Sequence, residues 1–412
     1  MSRFCFIVVT VASTLFVGCS QSTDSDSAVT TEFAGLTVSV NNPDAGELPP
    51  DGGVMTSTES ADRATDVLTL LKTIRQLRAA PVEDDINQAH ETRRKRNLHI
   101  VKLATDVLRL TIGQAEQAEP FDAGIKQLLE ARYQLALNGT DQDITQLYAD
   151  VQSLNDRDPD SDHAADGIYY LAKFAHTKAR LQGRSDPMWF ENFSRWAREF
   201  ADRFPQHTER AASLLFGAGR SCEMHSVVVE AEADASRLRT EAKLCYSALT
   251  ERFGATTEGR EATAVLRRMA LPGKQLSQFA GPTLDGAYIN AEDVVDKVTV
   301  IYFWDSENAE FISKLLPLLQ QANDVSNGKL RFIGVPLDED ETALRAFVGS
   351  NRVPGHQIFF SDAAQRSWNS PLIRFWGISR SPSVWLVERD GVVKVVDVGG
   401  PQLVEKMRPL FQ

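Results

Sequence analysis

Apolar residues recur every three or four positions through residues 57–270, which is the spacing of an amphipathic helix. Two stretches show this spacing most clearly, and they contain Val67, Leu70, Leu71, Ile74, Leu77, Leu98, Val101, Leu108 and Ile112. Glycine and proline are sparse in this part of the chain, and no strand-like alternation interrupts it. The pattern therefore predicts paired antiparallel helices.

A short motif repeats within this helical part. It reads LNDRDP, FADRFP and LTERFG, beginning at residues 154, 200 and 249, so the steps are 46 and 49 residues. An alanine-containing helix is predicted shortly after each copy. A helix, a turn and a helix at a nearly constant step are typical of an α-solenoid, and an irregular helical domain is the alternative. The turns resemble those of the tetratricopeptide superfamily, whose grooves commonly bind peptides or partner proteins.

The pattern changes after residue 270. Strand-like apolar runs occupy residues 298–304, 330–336, 357–360, 383–387 and 392–398, and helical segments are predicted at 310–323, 341–350 and 403–410. Alternating strands and helices are typical of α/β layers around a central sheet. The sequence therefore predicts a multidomain protein, with an all-α helical-repeat domain at 57–270 followed by an α/β domain at 271–412.

The first nineteen residues have the pattern of an export signal. Arg3 precedes an apolar run at 4–17, and a bilayer-spanning helix needs a longer run of about 20 apolar residues. The run ends in LFVGC, which resembles the lipobox of bacterial lipoproteins. That resemblance implies a signal peptide at 1–19, lipidation of Cys19, and a mature protein anchored to the bacterial cell envelope and facing the periplasm. Simple secretion with an incidental Cys19 is the alternative.

Residues 20–56 are rich in Ser, Thr, Asp, Gly and Pro, which predicts a flexible tether containing at most one short strand. The chain of 412 residues carries 44 Lys and Arg against 56 Asp and Glu, a net charge of −12, so we expect no nucleic-acid partner. The seven histidines are scattered, and no Walker loop, dinucleotide fingerprint or nucleophile elbow occurs. We therefore expect no metal and no cofactor.

Five segments of the C-terminal part follow one another in an order known from other proteins. They are GKQLSQF with LDG at 273–286, VIYFW at 300–304, GVPLD at 334–338, the helix that follows it, and GISRSPSVWLV at 377–387. This order resembles the thioredoxin fold, in the redoxin or thiol-specific antioxidant (alkyl hydroperoxide reductase) superfamily and its membrane-anchored thiol–disulfide oxidoreductase branch. The resemblance implies that Pro382 is a cis-proline.

Members of that branch carry Cys-x-x-Cys directly after the Phe-Trp pair. Counting forward from Trp304 places the two cysteine positions on Asn308 and Phe311, whereas counting back from Pro317 places them on Ala309 and Ile312. No cysteine follows Cys245 in the chain. Because an amide or an alkyl group forms neither a thiolate nor a mixed disulfide, the domain is predicted to lack dithiol exchange. Asp305 and Ser306 are predicted to cap the following helix.

Cys222 and Cys245 lie in the helical part. For a straight hairpin turning near residues 226–229, the two positions would be offset by about 15–20 Å along the helices, beyond a disulfide reach of about 7 Å. The sequence therefore predicts two buried thiols that do not pair. Cys222 and His225 are the alternative, as two ligands of a metal site that lacks a second pair.

These features predict a redox-inactive envelope lipoprotein that binds an extended peptide or an envelope protein. Trp304, Asn308, Ser381 and Pro382 are predicted to line the peptide groove, and no residue is assigned as catalytic. The rival hypothesis, implied by the resemblance, is a thiol–disulfide oxidoreductase or a peroxiredoxin-like antioxidant that recruits Cys222 or Cys245. A third hypothesis makes the helical repeats the functional part and the C-terminal domain a stabilising cap.

Overall fold

The computed structural model describes residues 31–33, 36–38, 57–81 and 85–398. The predicted signal peptide with Cys19, most of the predicted tether and the helix predicted at 403–410 lie outside these residues. Two short antiparallel strands, β1 (Thr31–Phe33) and β2 (Leu36–Val38), precede the helical region. No helix in the described ranges is long and apolar enough to cross a bilayer.

The helical region confirms the predicted period. Its described helices are α1 (Ser57–Ala79), α2 (Ile86–Thr111), α3 (Ala118–Asn138), α4 (Asp141–Arg157), α5 (Asp162–Gln182), α6 (Met188–Arg203), α7 (Thr208–Ser226), α8 (Glu232–Phe253) and α9 (Thr257–Met269). Several begin at side-chain caps, including Asp85, Ser161 and Thr256, which accept hydrogen bonds from backbone N–H groups of the first turn. Consecutive helices pack on one another around one continuous apolar core.

The repeated motif lies at the ends of α4, α6 and α8, and its arginine links successive turns. Arg203 in the second copy donates a hydrogen bond of 2.6 Å to the carbonyl of Pro159 in the first copy. Arg252 in the third copy donates one of 3.4 Å to the carbonyl of Ala201 in the second. The motif therefore binds the carbonyls left free where a preceding helix or turn ends.

The C-terminal domain has a five-stranded sheet of order β7-β6-β5-β8-β9. Its strands are β5 (Val298–Trp304), β6 (Leu330–Pro336), β7 (His356–Gln357), β8 (Ser383–Val387) and β9 (Val393–Val398). The central strand β5 runs parallel to β6 and antiparallel to β8. A small antiparallel hairpin, β3 (Gly281–Pro282) and β4 (Tyr288–Ile289), precedes the sheet.

Strand β5 reads VTVIYFW because both faces of the sheet are covered. Ile301 and Phe303 point into a core shared with α12 (Pro371–Trp376). Tyr302 and Trp304 point into the opposite core, which is shared with α10 (Leu316–Ser326) and α11 (Glu341–Asn351). The α/β layers around a central sheet that the sequence predicts are therefore confirmed.

Candidate functional site

The candidate site lies where β5 ends and the next helix begins. After Trp304 the chain makes a short loop, and a π-helical turn (Phe311–Leu315) leads into α10. Asn308 stands in this loop beside the segment 379–382, hereafter the cis-proline loop. The Ser381–Pro382 peptide bond is cis, as predicted.

Asn308 connects the two elements with both ends of its side-chain amide. Its Nδ2 donates a hydrogen bond of 3.1 Å to the carbonyl of Ser381. Its Oδ1 accepts one of 3.0 Å from the backbone N–H of Phe311, which caps the start of the helix. The amide thus holds the first helical turn against the cis-proline loop.

The two possible positions of the absent cysteines differ in this geometry. Asn308 is half-buried against the cis-proline loop and Phe311 is fully buried, whereas Ala309 and Ile312 are exposed, Ile312 to 41%. Only the count from Trp304 needs no insertion in the loop, and it places its first residue beside the cis-proline loop. Of the two pairs predicted from the sequence, Asn308 and Phe311 are therefore the pair whose first residue contacts the cis-proline loop.

Trp304 does not line a surface groove, so that part of the prediction was wrong. Its side chain is fully buried, and its ring stacks on Phe311 with 4.5 Å between ring centroids. The indole Nε1 donates a hydrogen bond of 2.9 Å to Oε1 of Gln357. Trp304 and Phe311 therefore form the floor beneath the site rather than its wall.

Gln357 was missed by the sequence analysis. It is 3% exposed, and its Nε2 donates hydrogen bonds to the hydroxyl of Tyr302 at 2.9 Å and to the carbonyl of Pro354 at 3.0 Å. Burial raises the pKa of Tyr302, so this hydroxyl stays protonated and donates to Pro354. A buried indole next to a predicted strand requires an acceptor, and that requirement was the available signal for Gln357.

The carboxylate of Asp338 holds the loop before Asn308. The hydroxyl of Ser306 donates to Asp338, at the end of β6, and the Ser306 backbone N–H lies 3.3 Å from the same carboxylate. Burial raises the pKa of Asp338, and the hydrogen bonds from Ser306 oppose this effect. Asp305 caps only the backbone N–H of Glu307, so the predicted capping role of Asp305 and Ser306 passes to Asn308.

The helical region contacts the other side of the cis-proline loop. Arg268 of α9 is fully buried and pairs with Glu223 of α7 and, at 3.1 Å, with Asp397 of β9. The hydroxyl of Ser379 lies 3.4 Å from the Glu223 carboxylate. Arg380 donates a hydrogen bond of 2.7 Å to the backbone carbonyl of Asp397. The helical region is therefore attached to the loop that faces Asn308.

Cys222 and Cys245 are both buried as free thiols. Burial raises the pKa of Cys222 well above its usual value and that of Cys245 to about 11. The Sγ of Cys222 lies 3.5 Å from the carbonyl of Phe190, and that of Cys245 lies 3.1 Å from the hydroxyl of Ser194, one turn further along α6. The predicted offset of about 15–20 Å was wrong, because one helical turn advances only about 5.4 Å.

Residues 296–393 match a family model described as thioredoxin-like. Among solved structures, the thioredoxin domain of a thiol–disulfide oxidoreductase from Bacteroides vulgatus is 17% identical, with 34% of this chain and 98% of that chain covered and a TM-score of 0.30. A thiol–disulfide oxidoreductase from Bacteroides fragilis is 21% identical, with 33% and 99% covered and a TM-score of 0.28.

A DsbF homologue from Corynebacterium diphtheriae is 17% identical, with 33% of this chain and 85% of that chain covered and a TM-score of 0.28. The comparison with curated proteins found no match. The family match falls on the sheet that carries Asn308 and the cis-proline loop. The chain therefore consists of a helical N-terminal region followed by an α/β domain that is thioredoxin-like.

Proposed function

We propose that this chain is an exported, lipid-anchored envelope protein whose thioredoxin-like domain has lost dithiol chemistry and binds an extended peptide or a partner protein. One observation carries the proposal. At the position assigned to the reactive thiol, the amide of Asn308 bonds to the carbonyl of Ser381 and caps the helix. An amide cannot become a thiolate nucleophile, so this site holds its two elements together instead of reacting.

The surface around Asn308 suits binding. Ser381 and Pro382 are half-exposed, and Glu307 and Ile312 on the neighbouring turn are exposed. An extended peptide lying along the cis-proline loop would gain main-chain hydrogen bonds with the backbone of this loop. The exposed side chains beside the loop would provide specificity. Ile312 supplies an apolar contact, and the carboxylate of Glu307 favours a peptide with a basic residue.

The attachment of the two regions supports a scaffolding role. Arg268 has no exposure to solvent and pairs with Glu223 inside the helical region and with Asp397 of the thioredoxin-like domain, so separating the regions would break the pair between Arg268 and Asp397. A site that exchanges disulfides with many proteins gains from mobility, whereas a binding surface gains from fixed geometry. We infer that the helical region presents the cis-proline loop to a partner in one orientation.

The anchoring part of the proposal depends on the signal-like segment at 1–19. Lipidation of Cys19 would tie the tether at 20–56 to the envelope membrane, so the helical region and the thioredoxin-like domain would work close to that surface. Metabolic labelling with a fatty-acid analogue tests this part separately. Loss of label in Cys19→Ala supports it, and an unlabelled wild type contradicts it.

The alternative is an oxidoreductase or antioxidant that uses Cys222 or Cys245. Both thiols have no exposed surface, and burial raises the pKa of each. A thiol with a pKa of about 11 is almost wholly protonated at neutral pH and is a poor nucleophile. Disulfide reduction or peroxide consumption that disappears in Cys222→Ser or Cys245→Ser would favour this alternative.

A peptide array probed with the full-length chain tests the binding proposal. The test variant is Pro382→Ala combined with Ile312→Ser. Both residues have exposed surface, and neither belongs to the buried floor formed by Trp304 and Phe311. Lys329→Ala is the matched control, since this exposed residue precedes β6 at the opposite end of the strand from Asp338. We expect the double variant to lose the peptide spots that the wild type and the control retain. Equal binding by all three proteins would contradict the proposed groove.

A further inference from the structure

Helices α7 and α8 pack with Gly219 and Glu223 of α7 beside Tyr246 of α8, a register that differs from the one expected for a straight hairpin. Gly219 of α7 packs on Tyr246 of α8, and a Cβ atom at residue 219 would lie 2.9 Å from the ring. The hydroxyl of Tyr246 donates a hydrogen bond of 2.8 Å to Glu223, one turn beyond Gly219. The residues of α7 around 219–223 therefore face the residues of α8 around 245–246.

Cys222 and Cys245 lie within these facing segments. Their sulfurs contact α6 at Phe190 and Ser194, which are one turn apart, so both thiols point into the same part of the interface among α6, α7 and α8. Burial is the main reason that the pKa of Cys222 is high, and the neighbouring Cys245 thiol raises it further. A disulfide between two helices needs Cα atoms within about 7 Å of each other, and facing segments of neighbouring helices are where such an approach can occur.

We propose that Cys222 and Cys245 form a structural disulfide that links α7 to α8. The reaction joins the two sulfur atoms and breaks two S–H bonds. The two electrons and two protons pass, by thiol–disulfide exchange, to an external disulfide, which is reduced to two thiols. Since both sulfurs are buried in the folded chain, the exchange takes place during folding, before α6 covers them.

This inference differs from the enzymatic alternative, because a buried structural disulfide does not turn over. It also stands apart from the peptide-binding proposal, whose residues lie in the thioredoxin-like domain. The link would close the loop 222–245, and Glu223 within this loop pairs with Arg268 and faces Ser379 of the cis-proline loop. It would thus stabilise the part of the helical region that is attached to the cis-proline loop.

Refolding the full-length chain with oxidised glutathione tests the inference. The refolded protein is alkylated in denaturant without reductant, digested with trypsin and analysed by mass spectrometry. Tryptic peptides 221–237 and 244–252 each contain one of the two cysteines. We expect to recover them as one cross-linked species that separates after reduction. Recovery of the two peptides as alkylated thiols or as glutathione adducts would overturn the inference.

A second measurement does not depend on peptide recovery. The midpoint of urea unfolding is measured with and without reductant for the refolded wild type and for Cys222→Ser. We expect reductant to lower the midpoint of the wild type and to leave that of Cys222→Ser unchanged. If the serine variant does not fold, Cys245→Ala takes its place. A wild-type midpoint that is insensitive to reductant would also overturn the inference.

Discussion

The side-chain amide of Asn308 donates a hydrogen bond of 3.1 Å to the carbonyl of Ser381, which precedes the cis-proline. The same amide caps the helix that starts at the end of the central strand. One side chain therefore fixes the distance between two segments that a reactive site would need to keep accessible.

Asn308→Ala should destabilise the chain by about 1–2 kcal/mol, because the helix loses its cap and the Ser381 carbonyl loses a donor. Urea unfolding measures the change. Ala309→Ser is the matched control, since the neighbouring residue is exposed and should change the free energy of unfolding by less than about 0.5 kcal/mol. Equal effects of the two substitutions would show that the Asn308 contacts contribute nothing.

The buried ion pairs of Arg268 supply a second prediction. Arg268→Ala removes the cation from the buried carboxylate of Glu223 and the partly buried carboxylate of Asp397, so we expect a loss of about 3–5 kcal/mol in the free energy of unfolding. Arg239→Ala is the control, because Arg239 pairs with the exposed Glu232 and such a pair contributes less than about 1 kcal/mol. A loss below about 1 kcal/mol for Arg268→Ala would contradict the attachment of the two regions.

Two glycines of α7 give a matched pair of substitutions. Gly219→Ala places a methyl group 2.9 Å from the Tyr246 ring and should destabilise the chain by about 1–3 kcal/mol. Gly217→Ala meets atoms no closer than 3.7 Å and should stabilise the helix by up to about 1 kcal/mol. Thermal unfolding of both variants measures the difference. A stabilising effect at residue 219 would show that α7 and α8 do not meet at Tyr246.

Asp338 should make stability depend on pH. Because burial raises its folded pKa above the unfolded value of about 3.9, the folded chain holds this proton more tightly. The contribution of Asp338 to the free energy of unfolding therefore falls as pH rises through the interval between the unfolded and folded pKa values. Above that interval the contribution is constant. Asp338→Asn removes this dependence.

Urea unfolding at a series of pH values measures the effect. We expect the difference in free energy of unfolding between Asp338→Asn and the wild type to move in favour of the variant as pH rises through that interval. A difference that does not change with pH would contradict the raised pKa, and the opposite trend would mean that the pKa is lowered.

Much of the fold follows from the apolar pattern alone. The predicted bounds of β5, β6 and β8 agree with the structure, because these strands are buried on both faces and read as unbroken apolar runs. The run predicted at 357–360 is shorter as a strand, since Ile358 pairs with Thr283 of the preceding hairpin segment. Helix α12 has only six residues, too few for a helical period to show.

The candidate site was only partly predictable. Counting from Trp304 identified Asn308, but the same reasoning placed Trp304 on the surface, although it ends a strand buried on both faces. The contact of Glu223 with Arg268 joins segments far apart in the chain, and no local pattern indicates it. The signal for Gln357 was the indole of Trp304, which the sequence analysis placed at the surface. The level at which α7 and α8 meet depends on the path of residues 227–231, which the helical period does not determine.

Disulfide turnover by the full-length chain tests most directly whether Asn308 stands in place of a reactive thiol. Insulin reduction is measured for the wild type and for Asn308→Cys combined with Phe311→Cys, with circular dichroism to verify that the variant is folded. We predict that the wild type reduces insulin no faster than the reductant alone and that the double-cysteine variant accelerates the reaction. Turnover by the wild type, abolished in Cys222→Ser or Cys245→Ser, would contradict the loss of dithiol chemistry.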